Sequence, residues 1–198
     1  MNFLAHAYLS FNDPDVLMGN MMADAVRGKQ ADEYPDKIRN GILLHRRIDA
    51  FTDQHELVKA TRKLFYPVIH HYALVISDVI YDHFLGNNWN KFSKEELSSF
   101  SIRSYNDMEN RIHHAPEKFK NIFPFMQEHN WFMLYASKEG IHETIQRLSH
   151  RSKQFIWDKE TVEIFELHYQ VLETQFLAFF PQLVEHSQTY LDHLKQNQ

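Results

Sequence analysis

The sequence predicts an all-α protein, a single-domain helical bundle, on three observations. Glycine and proline are scarce, five and six in 198 residues, and no run of alternating apolar and polar residues is bounded by turn signals, so β-strands have little support. Apolar residues instead recur at helical spacing along most of the chain. A length of 198 residues with 43% hydrophobic and 24% charged residues suits one domain with a substantial core and excludes a disordered or collagen-like chain.

Each element has a local reason. Asp13 is an N-cap residue followed by Pro14, suited to the first helical position, and the two open a helix through VLMGNMMADAV that Gly28 closes. Pro35 starts a second helix through KIRNGILLHRRIDAF. From Glu56 to Trp89 the pattern predicts one helix, bent near Pro67, whose stretch YALVISDVIYDHFL is apolar enough to lie at the centre of the bundle. Ser93 and Glu96 form a capping-box signature for the next helix, and Pro116 and Pro124 break the following segment into short pieces. A long last helix runs from Lys159 to His193, before a polar tail over Lys195–Gln198. There is no internal repeat, low-complexity run or linker.

Composition narrows the chemistry. Without cysteine, any strong metal ligands are His, Asp and Glu. A formal net charge of −5 argues against a nucleic-acid partner, because affinity for phosphate backbones comes from clustered Lys and Arg. The N-terminus lacks the basic and apolar regions of a signal peptide, and no stretch approaches the ~20 apolar residues of a membrane span, so a cytoplasmic location is expected. Several of the fourteen histidines, including His113, His114, His142 and His150, follow no interpretable spacing and read as surface or interfacial residues.

The informative region is the first ninety residues, where four polar pairs recur at a separation of four: Asn2/His6, Asn20/Asp24, His45/Asp49 and Asp78/Asp82. On helices this spacing puts both members on one face. The pairs stand among apolar neighbours, and buried carboxylates and imidazoles need partners. One divalent metal shared by several helices would satisfy them, as in other helical bundles. A set rich in Asp and His suits Mn²⁺, Mg²⁺ or Fe²⁺, which acidify water and polarise phosphoryl oxygens. Arg46 and Arg47, with Arg27, Lys29, Arg62 and Lys63 close in sequence, provide guanidinium forks for a phosphate or an acidic partner.

Simpler readings stand beside these. Taken alone, Asp78 and Asp82 read as core ion pairs with Arg46 or Arg47, His45 as a core histidine on a backbone carbonyl, and Asn2 and His6 as ties for the N-terminus; the coincidence of four pairs favours chemistry. His83 lies about 100° around the helix from Asp82, so the two need not converge.

The stretches MNFLAHAYLS, GNMMADAVRG, GILLHRRIDAFTD and DVIYDHFL, in that order and spacing, resemble the signature of bacterial acyl-carrier-protein phosphodiesterases. Looser similarity continues through WFMLYASKEGI and LETQFLAFFP. The resemblance implies an HD-phosphohydrolase-like fold and a Mn²⁺-stimulated hydrolase. That enzyme would cleave the phosphodiester joining 4′-phosphopantetheine to a serine of acyl carrier protein, giving apo carrier protein. The sequence departs from ordinary HD enzymes in having Asp82-His83 in reverse order and His45 separated from Asp49. With the pairs, it leads to an expected metal set of Asp24, His45, Asp78 and Asp82. Asp49, His6 or His83 would orient water or protonate the serine oxygen, and Arg46, Arg47 and Arg27 would meet substrate phosphate. Two alternatives remain: an HD-like phosphohydrolase acting on a nucleotide or small phosphate ester, and a non-catalytic or iron-binding bundle.

Overall fold

Asp13 caps the first long helix through its Oδ1, which accepts hydrogen bonds from the backbone N–H groups of Asp15 and Val16 at 3.1 and 3.3 Å, with Pro14 in the first turn. The computed structural model describes residues 1–150 and 159–196. Among these it contains α1 (Phe3–Tyr8), α2 (Pro14–Met22), α3 (Asp36–Gln54), α4 (Glu56–Ile69), α5 (Ala73–Asn87), α6 (Leu97–Glu109), α7 (Glu117–Glu128), α8 (Trp131–Leu134), α9 (Lys138–His150) and α10 (Lys159–Gln196), with no strand. The all-α expectation is met. Residues 197–198 of the polar tail lie outside the described residues.

One hydrophobic cluster holds the bundle together. Its axis is α5, where Ile76, Val79, Ile80, Phe84 and Leu85 are all buried, and α10 adds Phe165, Phe176, Phe179 and Phe180. The closest helix pair is α2 against α3, and two glycines permit it. A Cβ on Gly19 would stand 1.9 Å from the Ile38 carbonyl oxygen, and one on Gly41 would stand 2.2 Å from that of Val16. With no side chains between them, the backbones touch, and α2 can offer a backbone carbonyl to a side chain of α3.

Several boundaries differ from the sequence expectation. The helix after Pro14 ends at Met22 and tightens into a 3-10 turn over Ala23–Ala25. Gly28, at φ +48°, opens a second 3-10 turn instead of closing the first helix. The expected single helix over Glu56–Trp89 is two helices: Pro67 sits in the last turn of α4, and the chain breaks at His70, whose φ is +48°. The Ser93–Glu96 capping box does not form. The Ser93 hydroxyl is taken by the backbone of Glu95, at 3.0 Å to its N–H and 3.2 Å to its carbonyl, so α6 starts later with Glu96 as N-cap. Pro116 precedes α7 as expected, whereas Pro124 lies within it.

The stretch Glu56–Asn87 reaches a mean hydropathy of 1.2 over eighteen residues, long and apolar enough by composition to cross a membrane. That corrects the expectation that no stretch comes near a span. The high value has a structural reason: the segment includes α5, the core helix of the bundle.

Candidate metal centre and adjoining cleft

Four elements meet at one end of α5. Asn20 of α2 is the hub. Its Nδ2 donates to the His6 carbonyl at 2.8 Å and to the Ser10 hydroxyl at 3.2 Å, which leaves its Oδ1 facing His6 Nδ1 at 2.8 Å. Its backbone carbonyl faces His45 Nδ1, also at 2.8 Å. Both partners are acceptors, so both imidazoles carry their proton on Nδ1 and, when neutral, present a lone pair on Nε2. The rings stack with centroids 4.0 Å apart and 16° between planes.

Both Nε2 atoms face carboxylates. His6 Nε2 is 3.2 Å from Asp49 Oδ1, and His45 Nε2 is 3.1 Å from Asp49 Oδ2 and 3.3 Å from Asp24 Oδ1. Neither nitrogen is aligned for a hydrogen bond, and both are buried. Ligand atoms of His6, His45 and Asp49 all lie within 4.8 Å of one another. Lone pairs and anionic oxygens gathered in this way fit a cation, and the N and O donors suit a borderline or hard divalent ion.

The electrostatics follow from the same contacts. Burial disfavours the His45 imidazolium, but Asp24 and Asp49 outweigh it and push its pKa up to about 9. Burial and the neighbouring His45 lower His6 to about 4 despite Asp49. Burial alone would raise Asp49, yet the two imidazoles hold it well below the usual carboxylate range. Asp24 is also lowered, chiefly by His45.

Asp78 and Asp82, four apart on α5, have different surroundings. Asp78 is 3.4 Å from the Met1 amino nitrogen and 3.6 Å from the Arg62 guanidinium, and burial raises its pKa. It lines the same cavity, of about 250 Å³, as His6, Asn20, Asp24, His45 and Asp49. Asp82 is fully buried behind it, where its Oδ2 accepts from the Leu4 N–H at 2.6 Å and its Oδ1 from those of Asn2 and Ala5, both at 3.3 Å. Asp82 therefore anchors the start of α1, which carries His6. Burial pushes its carboxyl up to about 7, against these N–H groups.

The remaining predicted site residues lie elsewhere. His83 is buried on another face of α5, donating from Nδ1 to the Tyr135 carbonyl at 2.8 Å and accepting from the Tyr169 hydroxyl at Nε2, also at 2.8 Å. Arg46 donates to the Val26 carbonyl at 3.1 Å. Arg47 turns toward α10, contacting His186 at 2.8 Å and lying 5.5 Å from the centre of the Tyr190 ring. Arg27 is exposed. None of the three arginines lines the cavity.

Beside this cavity opens a second, more apolar cleft of about 320 Å³, which shares Met1, Asn2, Phe3, Asp24 and Asp78 with it and continues along Val75, Val79, Phe125, Trp131, Leu134 and Tyr135. Sequence reasoning missed this wall. Its residues come from separate elements and form no motif, although WFMLYASKEGI contains three of them.

The sequence profile of the acyl carrier protein phosphodiesterase family matches residues 1–183. The acyl carrier protein phosphodiesterase of Photorhabdus laumondii is 33% identical over 93% of this chain and 94% of its own. Those of Yersinia pestis and Escherichia coli are 32% and 30% identical, covering 95% and 93% of this chain and 98% and 96% of theirs. No solved structure matches the chain.

Proposed function

The chain belongs to the acyl carrier protein phosphodiesterase family and is an enzyme, and from that premise we propose that it hydrolyses the 4′-phosphopantetheine arm from holo acyl carrier protein with the help of a divalent cation. The observation that carries this reading is the cluster formed by buried His6 and His45 with half-buried Asp49, whose ligand atoms all lie within 4.8 Å of one another.

His6, His45 and Asp49, with Asp24 beside them, would hold the cation, with Mn²⁺ our first choice and Mg²⁺ or Fe²⁺ next. A bound divalent ion supplies Lewis-acid polarisation of a phosphoryl oxygen and makes hydroxide accessible near neutral pH. The protein contributes the rest. Asn20 fixes both imidazole tautomers, and Asp82 fixes the helix that carries His6. The water oxygen bonds to phosphorus, the bond from phosphorus to the serine oxygen breaks, and that oxygen takes a proton, leaving the phosphate on pantetheine. Asp78 lines both cavities and is our candidate for handing over the proton. Arg62, 3.6 Å from Asp78, is our candidate for balancing phosphoryl charge.

We place the reaction in the cytoplasm, and kinship with HD phosphohydrolases belongs to the same proposal. The test is intact-mass spectrometry of holo carrier protein incubated with the enzyme and Mn²⁺. Loss of the phosphopantetheine mass, abolished by chelator and by His45→Ala, is the expected result. Unchanged mass with folded, Mn²⁺-loaded enzyme would overturn it and turn attention to small phosphate esters.

A further inference from the structure

We propose that the apolar cleft beside the candidate metal centre seats the pantetheine arm, so that the carrier protein stays outside and only its prosthetic group enters. The inference rests on the hydrolase reading above and adds to it the seat and orientation of the substrate.

The first argument is continuity. Asp24 and Asp78 belong to both cavities, as do the first residues of the chain described here, Met1 to Phe3. A phosphodiester placed at the His6–His45–Asp49 cluster therefore has this cleft next to it, open to one of its two substituents. The second is size. At about 320 Å³ the cleft lies at the lower end of the roughly 300–1,000 Å³ of small-molecule sites and cannot admit a folded protein. Of the two groups on the diester, only the arm fits.

The third argument is chemistry. The arm is a narrow chain with a gem-dimethyl group next to the phosphate, two amides and a terminal thiol. The cleft offers Val79, Leu134 and Trp131 for the apolar parts, with Asn2 and Thr144 among them. Asn2 is an N-cap residue whose side chain makes no cap bond and instead donates to the Tyr135 hydroxyl at 3.1 Å, turning its amide into the cleft wall. Val75 and Phe125, 45% and 57% exposed, also line the cleft. Large apolar side chains left in solvent beside a concave site fit an apolar ligand that covers them.

Because the phosphate stays with pantetheine when the serine ester breaks, the same seat holds the product. Binding can therefore be read without turnover. Trp131 in the cleft wall provides the signal: titrating the full, Mn²⁺-loaded enzyme with 4′-phosphopantetheine should give a saturable fluorescence change that is absent in Trp131→Phe. Val75→Trp, which adds bulk at an exposed position, should raise KM for holo carrier protein about tenfold or more with little change in kcat, the pattern of lost ground-state binding. A wild-type enzyme that strips holo carrier protein but shows no Trp131 response, together with an unchanged KM in Val75→Trp, would overturn the assignment while leaving the hydrolase reading intact. The converse result, saturable phosphopantetheine binding at Trp131 without turnover of holo carrier protein, would support the cleft as the arm's seat and sink the hydrolase reading.

Discussion

His6 and His45 stack at 4.0 Å between ring centroids, with both Nδ1 atoms bound to one residue, Asn20, through its side-chain and backbone oxygens respectively. Two imidazoles at this distance would repel if both were protonated, and the shared anchor keeps both Nε2 atoms turned toward Asp49. The His45 bond uses backbone and survives any substitution at position 20. The His6 bond does not. Asn20→Leu should therefore lower Mn²⁺ affinity about 10–100-fold, as removal of an outer-shell partner does, with a smaller effect on the fold. Isothermal titration of Mn²⁺ into wild type and variant checks this, and equal affinities would show that Asn20 does not orient a ligand.

Cation binding should depend on pH with a definite sign. His45 is pushed up to about 9 by Asp24 and Asp49 against burial, so below that pH a proton occupies the nitrogen the cation needs. His6, lowered to about 4, is neutral throughout the neutral range and does not compete. Mn²⁺ affinity should rise about tenfold per pH unit between roughly pH 7 and 9 and then level off, with about one proton released per ion bound. Titration in buffers of different ionisation enthalpy counts that proton. Folding stability before the cation binds carries the opposite sign. The His45 contribution is complete below its ordinary value of 6.5 and is lost as pH rises through about 9.

The sequence made the bundle and the polar pairs legible because both rest on local periodicity. Asp13-Pro14 announces the start of α2, and His45/Asp49 share one face of α3, as a spacing of four requires. Spacing alone could not separate Asp78 from Asp82. Both lie on the same face of α5, but only the structure shows that the N–H groups at the start of α1 use both oxygens of Asp82 while Asp78 remains at the cavity. The arginines after His45 were equally ambiguous, since their direction depends on where α10 and the Val26 carbonyl lie. The cleft wall over Phe125–Tyr135 is assembled from tertiary contacts and has no signature to read.

The placement of Asp82 leads to a stability prediction. Asp82→Asn retains one acceptor but turns an NH₂ group toward backbone N–H donors, leaving at least one of them unsatisfied in a buried place. The expected cost is about 1–3 kcal/mol in urea denaturation. Activity of the folded variant at saturating Mn²⁺ should fall much less than in His45→Ala. Loss of activity with unchanged stability would instead point to Asp82 as a direct participant in the chemistry.

His83 offers the sharpest contrast between an expected catalytic role and an observed structural one. It is fully buried, and its two nitrogens tie the Tyr135 carbonyl and the Tyr169 hydroxyl to α5. Burial also lowers its pKa, so it remains neutral in both bonds at physiological pH. His83→Ala removes both bonds and opens a void among Phe84, Phe165 and Tyr169, whose rings lie 5.3–6.1 Å from the imidazole. The variant should lose about 1–3 kcal/mol of stability, read as a lowered Tm. At a temperature where it is still folded, kcat and its pH profile should match wild type, since neither nitrogen reaches the His6–His45–Asp49 cluster. A large drop in kcat with an unchanged Tm would return His83 to the catalytic set, and the Tyr135 backbone it holds would then have to be part of the reacting geometry.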